Sequence, residues 1–426
     1  AAIIGGGPTG IAAAYFLARA GIETTIFERE SCLGGVPRHV IPSFRIANET
    51  IEKDIALMEK YGVDVRCGAP APSVTELKAM GYTHIFFAVG AGKAGQLDIP
   101  GNVVPVIQWL RDLKAGKDVS LGHVAVVGGG NTAMDAARAA LRAGAKTSTL
   151  VYRRTKKYMP ADAEELELAI ADGVQFLELV APGKQEGGKL VCEKMKLGEP
   201  DEKGRRKPVG TGEFETLAVN SVIGAIGQTV DWGTLDVGAL TTTKKGTAEA
   251  DALTYQTAQP DIFVGGDCYT GPKFAIDAIA AGKEAAISLH RYVHPGQTLT
   301  AGRDRRVYKA LDKEHVLIET ADFDKDHRQM PGYNAAKAKT FSDARVTFTE
   351  EQVRRECARC LGCGATKVDS YLCIGCGLCT TKCKFDAIHL KKVRDWHAGS
   401  YETMPIKVAE GVVKRAGSIV KKAVSK

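Results

Sequence analysis

Two glycine-rich turns, each placed between a short apolar strand and a helix-forming segment, constrain the fold of this chain more than any other feature. The first turn spans residues 5–10 (GGGPTG) and the second spans residues 128–133 (GGGNTA). Glycines at this spacing allow a tight turn and let the pyrophosphate of a dinucleotide approach the N-terminus of the following helix. The sequence therefore predicts an α/β fold with two Rossmann-like dinucleotide-binding domains.

The first of these units ends in an acidic residue and predicts FAD. Glu28 follows a strand predicted at residues 24–27, where a carboxylate suits the hydroxyls of a ribose. Gly34 and Gly35 come next in the manner of flavoprotein loops. Residues 84–90 (HIFFAVG) predict a buried strand ending in small residues, which would let the backbone approach a cofactor. The alternative is a glycine-rich structural turn without a ligand.

The second unit ends in arginines instead. Its last strand, predicted at residues 147–151, is followed by Tyr152, Arg153 and Arg154. Because a guanidinium fork donates two parallel hydrogen bonds to phosphate oxygens, the arginine pair favours the 2′-phosphate of NADPH over the free hydroxyl of NADH. A solvated basic strand end is the alternative. Beyond this unit, residues 173–251 predict short strands with hairpin tips at residues 187–188 and 201–207.

A later segment of the chain predicts a second part of the FAD site. Residues 262–267 (IFVGGD) predict a strand ending in Gly-Asp, and residues 271–275 (GPKFA) open a helix that runs to residue 290. Asp267 would accept a hydrogen bond from a ribityl hydroxyl, and the helix N-terminus would face the flavin edge that becomes negative on reduction. We therefore predict a discontinuous FAD domain with the NADPH domain inserted into it. The predicted boundaries are 1–115 and 251–297 for the FAD domain, 116–250 for the NADPH domain, 298–348 for a connector, 349–395 for a ferredoxin-like [4Fe-4S] module and 396–426 for a basic amphipathic tail.

A cysteine-rich run defines the predicted iron–sulfur module. Seven of the eleven cysteines lie within residues 357–383, and the last four follow the C-x2-C-x2-C-x3-C spacing of bacterial iron–sulfur proteins. In that arrangement the fourth cysteine ligates the other cluster of a pair. One [4Fe-4S] cluster is therefore predicted at Cys357, Cys360, Cys363 and Cys383.

A second cluster is predicted at Cys373, Cys376 and Cys379, but its fourth ligand would fall at Lys367. Asp369, a water molecule, a three-iron cluster and an empty site are the alternatives. A disulfide framework or a zinc ribbon would require paired C-x2-C knuckles or an oxidising compartment.

Composition limits the partners and the location. A net charge of +7 is modest for 426 residues, so it argues weakly for an acidic partner and not for nucleic acid. No apolar run reaches the length of a membrane span and no signal-peptide pattern is present. Clustered cysteines suit a reducing cytoplasm. The tail predicts a basic amphipathic helix that docks on a partner, a membrane surface or its own protein. The chain opens inside a predicted strand, so we expect an upstream portion that this sequence lacks.

The order of these motifs resembles a known family. The motifs follow one another in this order: GGGPTG, Glu28 separated by five residues from Gly34-Gly35, IPSFRI at residues 41–46, GGGNTAMD at 128–135, YRR at 152–154, AIGQ at 225–228 and GGD at 265–267. This series resembles the small subunit of NADPH-dependent glutamate synthase and the FAD/NADPH portion of dihydropyrimidine dehydrogenase. With RCLGCG at residues 359–364, the chain is most similar to the FAD and iron–sulfur subunit of the selenate reductase type.

The resemblance implies roles for particular residues. In that family Arg45 contacts FAD, while Asn131, Thr132, Arg153 and Arg154 line the NADPH site. With the motifs, it predicts an FAD site at Gly5, Gly7, Pro8, Thr9, Gly10, Glu28, Arg29, Gly35, Val36, Arg45, Gly90, Gly266, Asp267, Phe274 and Ala275. It predicts an NADPH site at Gly128, Gly130, Asn131, Thr132, Ala133, Arg153, Arg154, Ala225 and Gly227.

Together, the predicted cofactors indicate an oxidoreductase. NADPH would give a hydride to FAD, and electrons would leave singly through the clusters to a partner subunit of a larger complex. A selenate reductase-like or other molybdenum enzyme, or an amidotransferase-type synthase, is the expected partner. The alternative is a self-contained flavin enzyme like glutamate synthase or dihydropyrimidine dehydrogenase, with its substrate site on a missing N-terminal region or another subunit. A cofactor-binding scaffold is a third reading. No acid–base catalytic residue is predicted, and the inserted domain lacks the C-x-x-C dithiol of thioredoxin reductases.

Overall fold

The computed structural model describes residues 1–119, 121–201, 204, 206–233, 235, 240–301, 303, 327–360, 373–382, 388–391 and 401–424. The chain forms two compact units, Ala1–Leu361 and Gly362–Lys426.

The strands and helices are given in chain order. The strands are β1 (Ala2–Ile4), β2 (Thr25–Glu28), β3 (Asp64–Cys67), β4 (Ile85–Phe87), β5 (Lys93–Ala94), β6 (Val103–Pro105), β7 (His123–Val127), β8 (Thr147–Tyr152), β9 (Gln175–Glu178), β10 (Val180–Glu186), β11 (Lys189–Pro200), β12 (Arg206–Ala218), β13 (Ser221–Gly224), β14 (Gln228–Thr229), β15 (Ile262–Val264), β16 (Gly332–Tyr333) and β17 (Arg345–Val346). The helices are α1 (Pro8–Arg19), α2 (Gly35–His39), α3 (Asn48–Glu59), α4 (Val74–Ala79), α5 (Val106–Lys114), α6 (Asn131–Arg142), α7 (Ala163–Ala171), α8 (Asp267–Thr270), α9 (Ala275–Tyr292), α10 (Glu350–Ala358), α11 (Leu378–Lys382) and α12 (Met404–Val424).

The first parallel sheet has the strand order β15-β4-β1-β2-β3. Its strands are short and almost wholly apolar, as expected for a parallel sheet covered on both faces. The outer strand β15 pairs with β4 in the register Ile262↔Ile85, although the whole second sheet lies between them in the sequence. Helices α1 and α9 pack against each other, and Gly282 of α9 lies directly on the backbone of Thr9. Two distant stretches of chain therefore build one sheet and its covering helices.

The second parallel sheet has the order β6-β13-β7-β8-β9. Helix α6 packs on it through a row of small side chains, because Ala133, Ala136, Ala137 and Ala140 are at most 1% exposed. An antiparallel meander, β10-β11-β12, lies in the sequence between strands β9 and β13 of this sheet. Strands β9, β13 and β14 are short, as predicted for this region, but β11 and β12 contain 12 and 13 residues, so the prediction is wrong for these two. The hairpin tips lie where predicted, between β10 and β11 and between β11 and β12.

Two segments of the chain cross between the two parallel sheets, and these segments pair with each other. Strand β5 leaves the first sheet and β14 returns from the second, with the antiparallel register Gln228↔Ala94. The amide of Gly95 also donates to the carbonyl of Gly227 at 2.8 Å. The chain thus enters and leaves the second sheet at the same place.

The described part of the connector lies against the second sheet's helices. Strands β16 and β17 form a two-stranded ribbon, and the ring of Phe341 lies 6.2 Å from that of Phe44. The Arg142 guanidinium of α6 donates to the carbonyls of Thr340 and Ala338. The connector is therefore held on α6 at Ala338 and Thr340.

In the second unit, α12 contains the amphipathic pattern of the tail. Its apolar side chains are exposed; Val413, for example, is 70% exposed. Among the described residues, no helix combines the length and the apolar character that crossing a bilayer would require.

Candidate nucleotide-binding and iron–sulfur sites

A cavity opens where the carboxyl ends of β1, β2 and β4 meet the N-termini of α1 and α9. Most residues of the predicted FAD site line it: Gly5, Gly7, Pro8, Thr9, Glu28, Arg29, Gly35, Val36, Gly90, Asp267, Phe274 and Ala275. Three predicted residues do not line it: Gly10, Arg45 and Gly266. Its wall also includes residues outside the predicted FAD site: Glu30, Pro37, His39, Ile41, Ala88, Val89, Ala91, Gly92, Arg111, Lys273 and Ala278.

The glycines of the first turn bring α1 against the end of β1. Gly5 has a φ of +106°, in the left-handed region, and an added Cβ would lie 2.5 Å from the carbonyl oxygen of Ala88. A Cβ on Gly10 would overlap the carbonyl oxygen of Gly5. Helix α1 begins at Pro8, and its N-cap residue Gly7 gives it no side-chain cap. Its first amides are therefore available to an anionic group at the cavity.

Glu28 is held rigidly at the end of β2. The residue is only 6% exposed. Its Oε2 accepts the amide proton of Gly6 at 2.6 Å, and its Oε1 accepts that of Glu30 at 2.8 Å. Each carboxylate oxygen can accept a further hydrogen bond, so the group can also bind ribose hydroxyls.

Asp267 lies at the opposite wall, at the start of α8. Its Oδ1 accepts the amide proton of Lys273 at 3.1 Å. Burial raises the pKa of Asp267 to about 6. The group can therefore exchange a proton near neutral pH at the cavity edge where α9 begins. An uncapped helix, a fixed carboxylate and a glycine cradle together fit FAD.

Lys114 of α5 supports the cavity wall, although no sequence motif indicated it. Its ammonium group donates to the carbonyl of Pro37 at 3.0 Å and to that of Ile41 at 2.5 Å. Burial and, to a smaller extent, the neighbouring Arg38 charge lower the pKa of Lys114 to about 8. These bonds fix the stretch that follows α2.

The second glycine-rich turn joins β7 to α6. Gly128 packs so closely on the carbonyl of Ala225 that no side chain fits there. The ring of Tyr152 fills the space beside Gly129. Helix α6 begins after Gly130 without a side-chain cap. The turn therefore presents free amides as the first one does.

Other residues of the predicted NADPH site surround the same turn. Asn131 Oδ1 accepts the amide proton of Asp162 at 3.2 Å, and Thr132 Oγ1 accepts a hydrogen bond from Gln228 at 3.5 Å. Ala133 is fully buried beneath the helix. Gly227, with a φ of +110°, lies on the crossing that precedes β14. Donors and small residues thus converge on the N-terminus of α6.

Arg153 and Arg154 follow β8, as predicted, but differ in their surroundings. Arg154 donates from Nε to the carbonyl of Arg206 at 3.1 Å. Arg153 is exposed, and within the described part of the chain it has no hydrogen bond or ion pair. Arg153 is therefore the better placed of the two to bind a phosphate.

Replacing Arg153 with alanine should lower kcat/KM for NADPH by about 10- to 100-fold, because a charge-assisted phosphate contact contributes about 1.5–3 kcal/mol. The value for NADH should stay within about threefold of the parent, since NADH lacks the phosphate. Steady-state kinetics with both nucleotides measure this. Lys157→Ala, at a nearby exposed position, is the matched control. An equal loss with both nucleotides, or a parent that prefers NADH, would show that Arg153 does not select the phosphate.

The cysteines of the predicted module are described only in part. Cys357 and Cys360 are exposed free thiols in the first unit, and Cys373, Cys376 and Cys379 are exposed free thiols in the second. Gly375 and Gly377, at φ of +69° and +78°, turn the loop between the last three. Cys363, Cys383, Lys367 and Asp369 lie outside the described residues. Among those that are described, no three donors are grouped closely enough to hold a metal ion. Thiols at this spacing are nonetheless the donors that an iron–sulfur cluster requires.

Two glycine-rich turns, each leading into an uncapped helix on its own parallel sheet, form two sites for dinucleotides. Residues 1–282 match the family described as pyridine nucleotide-disulphide oxidoreductase. The chain belongs to this family. Residues 366–389 match the 4Fe-4S binding domain. The predicted cofactors FAD, NADPH and a [4Fe-4S] cluster are thereby confirmed.

Several curated proteins are similar over most of the chain. It is 37% identical over 382 residues to YgfK of Escherichia coli, covering 88% of this chain and 34% of that protein. It is 36% identical over 388 residues to the NADP(+)-dependent formate dehydrogenase subunit beta of Moorella thermoacetica, covering 85% and 54%. It is 31% identical over 324 residues to the glutamate synthase [NADPH] small chain of Halomonas elongata, covering 68% and 67%. The chain thus spans about a third to a half of the first two relatives.

Solved structures confirm the fold class. FprA of Mycobacterium tuberculosis in complex with NADPH has a TM-score of 0.58 at 19% identity, covering 68% of this chain and 84% of FprA. A thioredoxin reductase of Lactococcus lactis has a TM-score of 0.53 at 21% identity, covering 68% and 98%. Identities this low support the shared α/β architecture alone.

Proposed function

We propose that this chain is the electron-input subunit of a larger complex, taking electrons from NADPH through FAD to a [4Fe-4S] cluster and on to a partner redox subunit. One observation carries the proposal: a cavity fitted to FAD and a turn fitted to NADPH share a chain with an iron–sulfur domain. Two relatives have names that fit this role, the formate dehydrogenase subunit beta and the NADPH-Fe(3+) oxidoreductase subunit beta of Geobacter sulfurreducens. A molybdenum enzyme of the selenate reductase type is the partner we favour.

The flavin supplies the central chemistry, since it accepts a hydride as two electrons and can release them one at a time. The protein's residues would position FAD and select NADPH over NADH. The first amides of α1 and the Glu28 carboxylate would hold the dinucleotide part of FAD. Asp267 would bind the ribityl chain and hold or release a proton at its carboxyl group. Arg153 would select NADPH. Hydride transfer needs no acid–base pair or activated nucleophile.

An anaerobic titration of the full chain with NADPH tests this function. We expect the flavin to bleach and the cluster then to develop the EPR signal of a reduced iron–sulfur centre, so that the protein consumes more than one equivalent of NADPH per FAD. A flavin that bleaches while the cluster stays oxidised would contradict electron export. It would favour the second candidate, a flavin enzyme that reduces its substrate at FAD.

A further inference from the structure

Arg359 carries a buried hydrogen-bond donor that has no acceptor among the described residues. It lies between Cys357 and Cys360, the two predicted cluster ligands of the first unit. The atom concerned is its Nε, which is shielded from solvent. A buried donor without a partner is rare in folded proteins, because its desolvation is not offset by a hydrogen bond. Arg359 therefore indicates an acceptor beside these cysteines that comes from outside the described chain.

The end of helix α10 brings Arg359 to the same side as Cys360. Arg359 is the C-cap residue of this helix. Residues three and four positions apart share a helix face, and Arg359 and Cys360 are three and four positions after Glu356. The amide of Cys360 continues the turn by donating to the carbonyl of Cys357 at 3.2 Å. The guanidinium of Arg359 thus belongs to the face that ends in Cys360.

Glu356 holds the Arg359 side chain on this face. Its Oε1 accepts hydrogen bonds from Nη1 of Arg359 at 2.9 Å and from the backbone amide of Gln329 at 2.7 Å. Gln352, one turn earlier on α10, donates to the carbonyl of Met330 at 3.3 Å. Helix α10 is therefore attached to the connector, and the guanidinium is fixed through Nη1 while its Nε remains available.

The Arg359–Glu356 pair is more buried than an ordinary ion pair of the same helix. Arg355 pairs with Glu351 at 2.8 Å, and these two side chains are 53% and 75% exposed. The side chains of Arg359 and Glu356 are only 28% and 29% exposed. An exposed pair can stabilise a helix without burying any donor. Helix stability alone therefore does not explain why the Nε of Arg359 is buried, whereas an anionic ligand beside it does.

An iron–sulfur cluster fits this site. Two thiols, a cation and a donor without a partner meet at the end of one helix. Cluster sulfurs accept N–H hydrogen bonds, and these bonds help to set the reduction potential. The reduced cluster carries one more negative charge than the oxidised cluster, so a cation beside it stabilises the reduced form more. The Arg359 charge also offsets the partial negative charge at the carbonyl end of α10.

We propose that Arg359 donates a hydrogen bond from Nε to a sulfur of the cluster that Cys357 and Cys360 ligate, and so raises the reduction potential of that cluster. Glu356 is the positioning residue that holds the guanidinium. This inference rests on the proposed function, in which a cluster takes electrons one at a time from the flavin. A raised potential favours the transfer of each electron to this cluster.

The test compares Arg359→Met, Arg359→Lys and the double variant Glu356→Gln/Arg359→Met. The double variant removes one charge of each sign, so it keeps the net charge and remains usable if the single Met variant does not fold. Arg355→Met, which removes an exposed arginine from the same helix, is the matched control. Three quantities are measured on the full chain: iron per chain, the EPR spectrum after reduction with dithionite, and the midpoint potential of each centre in a titration with redox mediators.

We expect the midpoint potential of one centre to fall in the Met and double variants. The expected shift is about tenfold in the reduction equilibrium, which equals about 59 mV for a one-electron couple. Iron per chain should match the parent in every variant. Arg359→Lys, which keeps the charge and loses the Nε donor, should be intermediate. Arg355→Met should keep the parental potential.

An unchanged potential in the Met and double variants would overturn the proposal. A loss of iron in both would also overturn it, because Arg359 would then build the site and not tune it. A fall that occurs in the Met variant and disappears in the double variant would assign the effect to charge without a hydrogen bond. The reductant is chemical, so the result does not depend on NADPH or FAD. A parent protein without a reducible iron–sulfur centre would instead contradict the proposed function itself.

Discussion

Replacing Gly10 with alanine should leave a chain that no longer retains FAD. The added Cβ would overlap the carbonyl oxygen of Gly5 and approach Ile3 Cγ2 to 3.3 Å. The first neighbour is backbone at the end of β1, so no side-chain rotation can relieve the overlap. Helix α1 would have to move away, and its uncapped amides would leave the position where they meet the pyrophosphate. Because overpacking of this kind costs about 1–3 kcal/mol, we expect bound FAD to fall about tenfold or more.

Flavin absorbance per protein after gel filtration measures this loss. Gly411→Ala in α12 is the matched control, because an added Cβ there meets nothing within 4 Å. It should retain the parental amount of FAD. A Gly10→Ala protein with full FAD and an unchanged melting temperature would show that α1 does not need to lie so close to β1.

Replacing Cys376 with alanine should separate flavin reduction from electron export. Cys376 lies within the 4Fe-4S binding domain, in the loop turned by Gly375 and Gly377. A cluster that loses a thiolate ligand is incompletely held, so iron content should fall by about one cluster per chain. NADPH should still bleach the flavin at the parental rate, because every described residue that lines the FAD cavity belongs to the first unit.

Iron analysis and EPR after NADPH addition measure the two effects separately. Cys192→Ala is the control, because burial raises the pKa of the Cys192 thiol to about 12 and keeps it from acting as a thiolate ligand. Its iron content should match the parent. An unchanged iron content in Cys376→Ala would rule out this residue as a ligand.

Local sequence patterns predicted the parts of the fold that local physics determines. Strands β1, β2, β4, β7, β8 and β15 lie at the apolar runs that predicted them, and the two glycine-rich turns lie between strand and helix. Each of these features depends on a few adjacent residues. The positions of Glu28 and Asp267 at the cavity follow from the same rule, since the carboxyl ends of parallel strands meet at one edge of a sheet.

Long-range contacts could not be predicted in this way. The pairing of Arg45 with Asp135 and Glu165 joins residues about ninety and 120 positions apart, and no periodicity marks them. Lys114 likewise reaches carbonyls far away in sequence. The lengths of β11 and β12 depend on how each strand pairs with its neighbour, whereas the turn residues between them are a local signal. Sequence patterns therefore indicated which cofactors bind, while the alignment of their sites depends on tertiary contacts.

Because strands β5 and β14 pair with each other, the second sheet is an insertion whose two ends lie side by side. Its entry at Ala94 and its exit at Gln228 are neighbours in one short ribbon. Such an insertion needs the surrounding domain to supply only two neighbouring attachment points, whatever the length of the inserted chain. The residues between these crossings can therefore diverge, lengthen or be exchanged for a related domain while the flavin half keeps its structure. A chimera joined at these two positions could change the nucleotide that the protein uses while the rest of the chain stays the same.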